Sequence, residues 1–317
     1  MDESERCMLC EWRCGANRRD GERGVCGASE TEIAYTSISE TLRSYSVTFL
    51  CCPFRCAYCN AYRISQYPHS GWIYRGHVEA EELADEAITA IKSHERISNI
   101  SFTGGEPSIH TPYIEELVRR VREEIDVGVI LATNGFSTPG TLRRLMGLTS
   151  LFSFEIKALS DELHRNLTGA PAGPVLRNAA HLAGRFPDKI RVFRTVVIPG
   201  INDHEIREIA AFIASIDPEI PYRLIGFRPN FMLYYHRGPG RELMERLVEE
   251  CRAEGLERVD YSGYYPASEL KLEDRLKAAG CSIPRDCGSC SRVCRAIIRE
   301  PWRVNSSGTP QQGSGFR

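Results

Sequence analysis

The sequence has no excess of either charge sign: 40 Lys and Arg stand against 42 Asp and Glu, for a formal net charge of -2. That balance offers neither a broad basic surface for nucleic acid nor an acidic tail. No window approaches the roughly 18 consecutive apolar residues that span a bilayer, and the opening MDESERCMLC is charged where a signal peptide would be apolar. The expected location is therefore cytoplasmic, with no membrane and no nucleic-acid partner. What is plentiful is cysteine, with 13 among 317 residues, most of them in three tight groups. In a reducing compartment such groups point to metal binding rather than disulfides.

The length fits two average domains or one α/β barrel. Residues 1–43 show little hydrophobic periodicity and hold Cys7, Cys10, Cys14 and Cys26, which suggests a metal-bound, cysteine-rich cap. From residue 44 short β-rich runs at 45–50, 97–103, 127–133, 151–157, 190–197 and 222–227 alternate with amphipathic helical patterns at 80–92, 113–124 and 206–216. Alternation of this kind predicts a parallel sheet with helical crossovers, over residues 44–266. A further helix is expected at 242–254. Residues 267–303 carry Cys281, Cys287, Cys290 and Cys294, and the polar segment 304–317 reads as a disordered tail.

Directly after the first strand, CCPFRCAYCN places Cys52, Cys56 and Cys59 in the loop at the strand's C-terminal end, where barrel active sites are built. Three thiolates so spaced can hold three corners of an iron-sulfur cubane and leave the fourth iron open. A zinc site would want a fourth ligand, and no His or Cys follows nearby. The next strand ends in SFTGGEP, where Gly104 and Gly105 allow close backbone approach to a ligand and Glu106 can accept from an ammonium group. Asn134 ends the third strand, Lys157 the fourth and Arg228 the sixth, with Arg194 on the fifth, so all could face the same mouth.

The triad, with Tyr58 just before its third cysteine, resembles the motif of the radical S-adenosylmethionine (SAM) superfamily. With GGEP and the strand ends, residues 7–266 resemble the branch of the pyruvate formate-lyase activating enzyme. The resemblance implies a partial (β/α)6 barrel with cysteine-rich extensions, a [4Fe-4S] cluster on Cys52, Cys56 and Cys59, and SAM chelated to its open iron. It implies reductive cleavage of SAM to methionine and a 5′-deoxyadenosyl radical that abstracts a hydrogen atom, with ferredoxin or flavodoxin as the low-potential reductant. It assigns SAM contacts to Tyr58, Thr103, Gly104, Gly105, Glu106, Asn134 and Lys157, with Arg194 a candidate for the SAM carboxylate or ribose region or, alternatively, an ion-pair partner of Glu155 or Glu106. Glu155 stands where relatives carry Asp, and Cys51, where relatives carry Gly, is read as structural.

The two outer cysteine groups each offer four soft ligands, and their spacing leaves zinc and an auxiliary iron-sulfur cluster both open. For the radical, the expected target is a residue of a partner protein or peptide, with the segments GYYP and FMLYYHRGPG as groove-lining candidates. One version is cobalamin-dependent C-methylation, as performed on methyl-coenzyme M reductase, although the Asp-x-His-x-x-Gly cobalamin signature is missing. Alternatives are a glycyl-radical activase, radical chemistry on a small metabolite, and a non-catalytic iron-sulfur electron carrier. The last leaves GGEP, Lys157 and Arg194 unexplained.

Overall fold

The computed structural model describes residues 6–40, 42–68, 74–234 and 236–265. The C-terminal group of Cys281, Cys287, Cys290 and Cys294 and the expected tail lie outside these residues. In chain order the elements are β1 (Glu32–Ser39), β2 (Ser44–Phe49), α1 (Tyr62–Ser65), β3 (Gly76–His77), α2 (Ala80–Lys92), β4 (Asn99–Gly104), α3 (Thr111–Glu124), β5 (Gly128–Thr133), α4 (Pro139–Leu148), β6 (Leu151–Glu155), α5 (Asp161–Thr168), α6 (Gly173–Arg185), β7 (Ile190–Val197), α7 (Ile206–Ile216), β8 (Tyr222–Gly226), α8 (Arg241–Ala253) and β9 (Val259–Ser262).

The strands form one sheet in the order β3-β1-β2-β4-β5-β6-β7-β8-β9. From β2 to β9 every pairing is parallel, whereas β1 runs antiparallel to both β2 and β3. Strands covered by helices must be apolar on both faces, and β2 is buried at every position. The helices turn one apolar stripe to the sheet: α3 buries Ile114, Leu117, Val118 and Val121, the one-face spacing of a 3.6-residue repeat. Side chains fix where helices begin. Thr138 accepts from the Thr141 N–H at the start of α4, and Ser160 from the Leu163 N–H at the start of α5.

The six expected strands correspond to β2 and β4 to β8, and they supply the (β/α)6 framework. Three strands were not expected. β1 lies inside the segment read as a cap, so the boundary at residue 44 falls within a β-hairpin in which Ser39 pairs with Ser44. Its sequence, EIAYTSIS, leaves one end of the strand half-exposed, which mutes the alternation that identifies a buried strand. β9 is a four-residue edge strand and β3 a two-residue pairing, both too short to be legible.

The described part of the cap rests on the triad loop. Trp12 Nε1 donates to the Pro53 carbonyl at 2.8 Å, and its ring packs edge-on against Phe136 with centroids 5.3 Å apart. Arg55 donates to the Val25 carbonyl at 2.9 Å, and the Cys52 N–H meets the Cys26 carbonyl at 3.3 Å. The core is continuous from Cys10 and Cys26 through the sheet to Val259.

Candidate active site

All of Cys52, Cys56, Tyr58, Cys59, Thr103, Gly104, Gly105, Glu106, Asn134, Lys157 and Arg194 line one cavity of about 460 Å³ at the C-terminal ends of the parallel strands. The triad loop leaves β2 through Cys51, whose φ of 67° is the left-handed conformation that glycine adopts freely. That turn aims the Cys51 carbonyl at the Glu106 N–H, 2.9 Å away. Gly105 fits beneath it because it has no side chain: a Cβ there would lie 1.8 Å from the Cys51 oxygen. The glycines of GGEP therefore seat the triad loop on β4. The thiol of Cys51 faces the cap, 3.7 Å from where a Gly27 Cβ would stand, in keeping with a structural role.

The triad thiols have little help from the chain in becoming thiolates. Burial, then Cys56 and Glu106, push Cys52 well up, while burial lifts Cys56 to about 12 against the pull of Lys157. Cys59 is also raised by burial, against a contact of 3.2 Å with the Ser65 hydroxyl. A cationic centre is what would hold all three deprotonated. Among the described residues no three His, Cys, Asp or Glu side chains are gathered as a single ion requires.

Glu106 both lines the cavity and is held by the chain. It is 1% exposed, and its carboxylate accepts from the Ser108 N–H at 3.1 Å, the Thr133 hydroxyl at 2.7 Å and the Asn134 N–H at 2.7 Å. With three protein donors it serves as a brace between the β4 and β5 loops, and the acceptor position these donors leave on the carboxylate stays available for an ammonium. Burial still raises its pKa despite those bonds. Asn134, so held, directs its Nδ2 to the Cys52 sulfur at 3.6 Å.

Lys157 is paired with Glu155 at 2.6 Å and lies 5.5 Å from the centre of the Tyr58 ring. Burial opposes its charge, but Glu155, then Tyr58 and Cys56, hold its pKa well above the ordinary lysine value. Glu155 is lowered in turn: burial would raise it, and the charges of Lys157 and Arg194 overcome that. Arg194 sits opposite Glu155 in the β6–β7 register, close enough to act on it electrostatically, and its Nε is buried without a hydrogen-bond partner. The Tyr58 hydroxyl and the Asn230 Oδ1 are also buried and unpartnered. Asn202 is a brace, donating to the Lys157 and Val196 carbonyls at 3.3 and 2.8 Å. Asp203 caps the adjacent turn, accepting from the Gly200 N–H at 2.7 Å.

These residues fit the cluster and SAM. The three thiols supply soft ligands, and the orphaned Arg194 Nε and Tyr58 hydroxyl are polar groups that a bound carboxylate or hydroxyl would satisfy. In the cap, the Cys14 and Cys26 sulfurs lie 3.2 and 3.4 Å from where a Gly24 Cβ would stand, and Cys7 feels both. The residue that sequence reasoning passed over is Asn230, which also lines the cavity; only its place just past a strand end, beside Arg228, could have marked it.

Residues 46–213 match the Radical SAM superfamily. The isethionate sulfite-lyase activating enzyme of Oleidesulfovibrio alaskensis is 29% identical over 154 residues, 47% of this chain and 50% of that protein. The pyruvate formate-lyase 1-activating enzyme of Escherichia coli K12 is 26% identical over 217 residues, 62% of this chain and 83% of that protein. Among solved structures, a radical SAM methyltransferase from Sphaerobacter thermophilus shares the fold with a TM-score of 0.52 and 20% identity, over 72% of this chain and 68% of that one. The chain spans about half the length of the first curated relatives it matches.

Proposed function

Because this chain belongs to the radical SAM superfamily, we propose that it cleaves SAM reductively on Cys52, Cys56 and Cys59 to modify a residue of a partner protein or peptide. When bound, the [4Fe-4S] cluster supplies a low-potential electron and an open iron for SAM, the electron coming from a reductant such as ferredoxin or flavodoxin. The chain's own residues do the rest. Arg194 and Lys157 supply positive charge to the SAM carboxylate, Gly104 and Gly105 bring backbone carbonyls to its amine, and the buried walls keep water from the radical.

The observation that carries the partner-protein reading is the rim of the molecule. Tyr67, Met232, Tyr234 and Tyr264 are exposed by 48%, 71%, 37% and 46%, and the first two flank Phe231, which stacks on Tyr62 at the start of α1, just after the triad loop. An aromatic and apolar rim beside an open cavity favours a peptide over a small polar metabolite. Two of the relatives above carry names of enzymes that activate other enzymes, which supports the same reading. Cobalamin-dependent C-methylation is the version in which the substrate radical receives a methyl group; glycyl-radical activation is the version in which it is left as a radical. Cys7, Cys10, Cys14 and Cys26 of the cap are proposed as ligands of zinc or an auxiliary iron-sulfur cluster, a site their side chains would have to close on metal binding.

The test is anaerobic. The reconstituted protein is given dithionite and SAM, with and without cobalamin, and 5′-deoxyadenosine and S-adenosylhomocysteine are quantified by mass spectrometry. Deoxyadenosine is expected. A cobalamin-dependent second product selects methylation, deoxyadenosine alone selects activation or another modification, and neither product overturns the proposal.

A further inference from the structure

Asn230 follows β8, and it lines the cavity together with Ile225, Phe227 and Tyr265. It is only 4% exposed. Its Nδ2 donates to the Arg228 carbonyl at 2.6 Å, which fixes the orientation of the carboxamide and leaves Oδ1 as the buried atom without a partner. A buried acceptor of this kind is costly unless something donates to it, and the residue that carries it lines the cavity. The residue is also held still from both sides. Beyond the Arg228 bond, the next residue, Phe231, takes a φ of 47° and stacks on Tyr62 with ring centroids 4.5 Å apart and planes 12° apart. A bulky residue in that backbone conformation persists only where its surroundings enforce it. Asn230 therefore lines the cavity on a preorganised loop tied to α1, the helix that follows the triad loop.

We propose that Asn230 is a specificity-determining residue whose Oδ1 receives a neutral N–H donor, most simply a side-chain carboxamide, from the peptide whose residue is modified. The surroundings select among donors. Arg228 lines the same wall, its guanidinium 5.1 Å from the centre of the Tyr265 ring and its Nε donating to the Tyr265 hydroxyl at 2.5 Å, so a cationic side chain would meet a fixed positive charge. A carboxylate has no proton to give. An aliphatic side chain would bury Oδ1 unsatisfied. The nucleoside of SAM also carries neutral donors, on its ribose and adenine, and is the other source the chemistry allows. The inference rests on the radical SAM reading but is tested without turnover.

The experiment is calorimetric titration of reconstituted protein, saturated with S-adenosylhomocysteine, with blocked tripeptides whose central residue is glutamine, leucine, glutamate or arginine. The glutamine peptide is expected to bind about tenfold or more tightly than the other three, the scale set by one buried hydrogen bond. Asn230→Leu should erase that preference while leaving S-adenosylhomocysteine affinity within about twofold, and Asn230→Asp should shift preference towards the arginine peptide. Iron content and circular dichroism confirm that each variant is folded and loaded. Equal binding of all four peptides, or binding of none, overturns the proposal. So does a loss of S-adenosylhomocysteine affinity in Asn230→Leu with peptide preference intact, which would assign the acceptor to the nucleoside. Failure of the wild type to form deoxyadenosine would sink the radical reading separately.

Discussion

The two flanks of the cavity are built on opposite principles. On the side of β2, β4 and β5, most polar groups are used up within the chain, the Tyr58 hydroxyl and Ser108 Oγ apart: Glu106 has three donors, the Cys51 carbonyl is met by Glu106 N–H, and His110 bonds both the Leu50 carbonyl and the Thr31 hydroxyl. On the side of β7 and β8, Arg194 Nε and Asn230 Oδ1 are left over. A flank saturated by its own bonds fixes geometry. A flank with unspent donors and acceptors is the one that can recognise a ligand, because only there does a ligand replace nothing.

The sharpest break of this comparison is to empty the saturated flank of its metal. Cys56→Ala is expected to reduce deoxyadenosine formation to background, measured by mass spectrometry, while metal analysis still finds the outer cysteine sites filled. Retained cleavage would show that the triad is not the cluster ligand set.

The next effect is on stability. His110 donates from Nε2 to the Leu50 carbonyl and accepts at Nδ1 from Thr31, so it is neutral in the folded state. Burial, with a smaller contribution from the charge of Arg18, lowers its pKa to about 3. Between about 6.5 and 3 the unfolded chain binds a proton that the folded chain refuses. Stability from this residue is thus complete above about pH 6.5 and falls as the pH drops towards 3, by as much as roughly 5 kcal/mol. Melting temperatures between pH 7.5 and 4.5 should decline, and His110→Gln should flatten the decline. A slope unchanged by the substitution would place the loss elsewhere.

The smallest effect belongs to the open flank. Arg194→Gln is expected to weaken SAM binding about tenfold, roughly 1.4 kcal/mol, with little change in melting temperature. If melting temperature fell instead and affinity held, Arg194 would be an internal partner of Glu155 and the contrast between the flanks would fail there.

The same division explains what could be read from the sequence. Six strands were legible because burial on both faces demands near-continuous apolar runs, and the triad, Gly104, Gly105, Asn134 and Lys157 were legible because each sits where such a run ends. β1 was hidden because its second half faces outward and it lies in a stretch dominated by cysteine and arginine spacing. The bracing role of Glu106 was hidden because it depends on donors from Thr133 and Asn134, 27 and 28 residues away. Asn230 was hidden for a different reason: an unmet acceptor is a property of folded surroundings and leaves no trace in residue order.

The hairpin of β1 and β2 has a practical corollary. β2 is the first strand of the parallel series, and the row of backbone groups along its outer edge is covered by β1. A chain begun at Ser44, the boundary that the change of pattern suggests, would bare that row on a strand with no charged side chain, an edge expected to pair with a second copy. β1 is thus needed to cover that edge and the cysteine-bearing segment before it to hold the triad loop, so a trimmed version of this protein should begin ahead of Cys7.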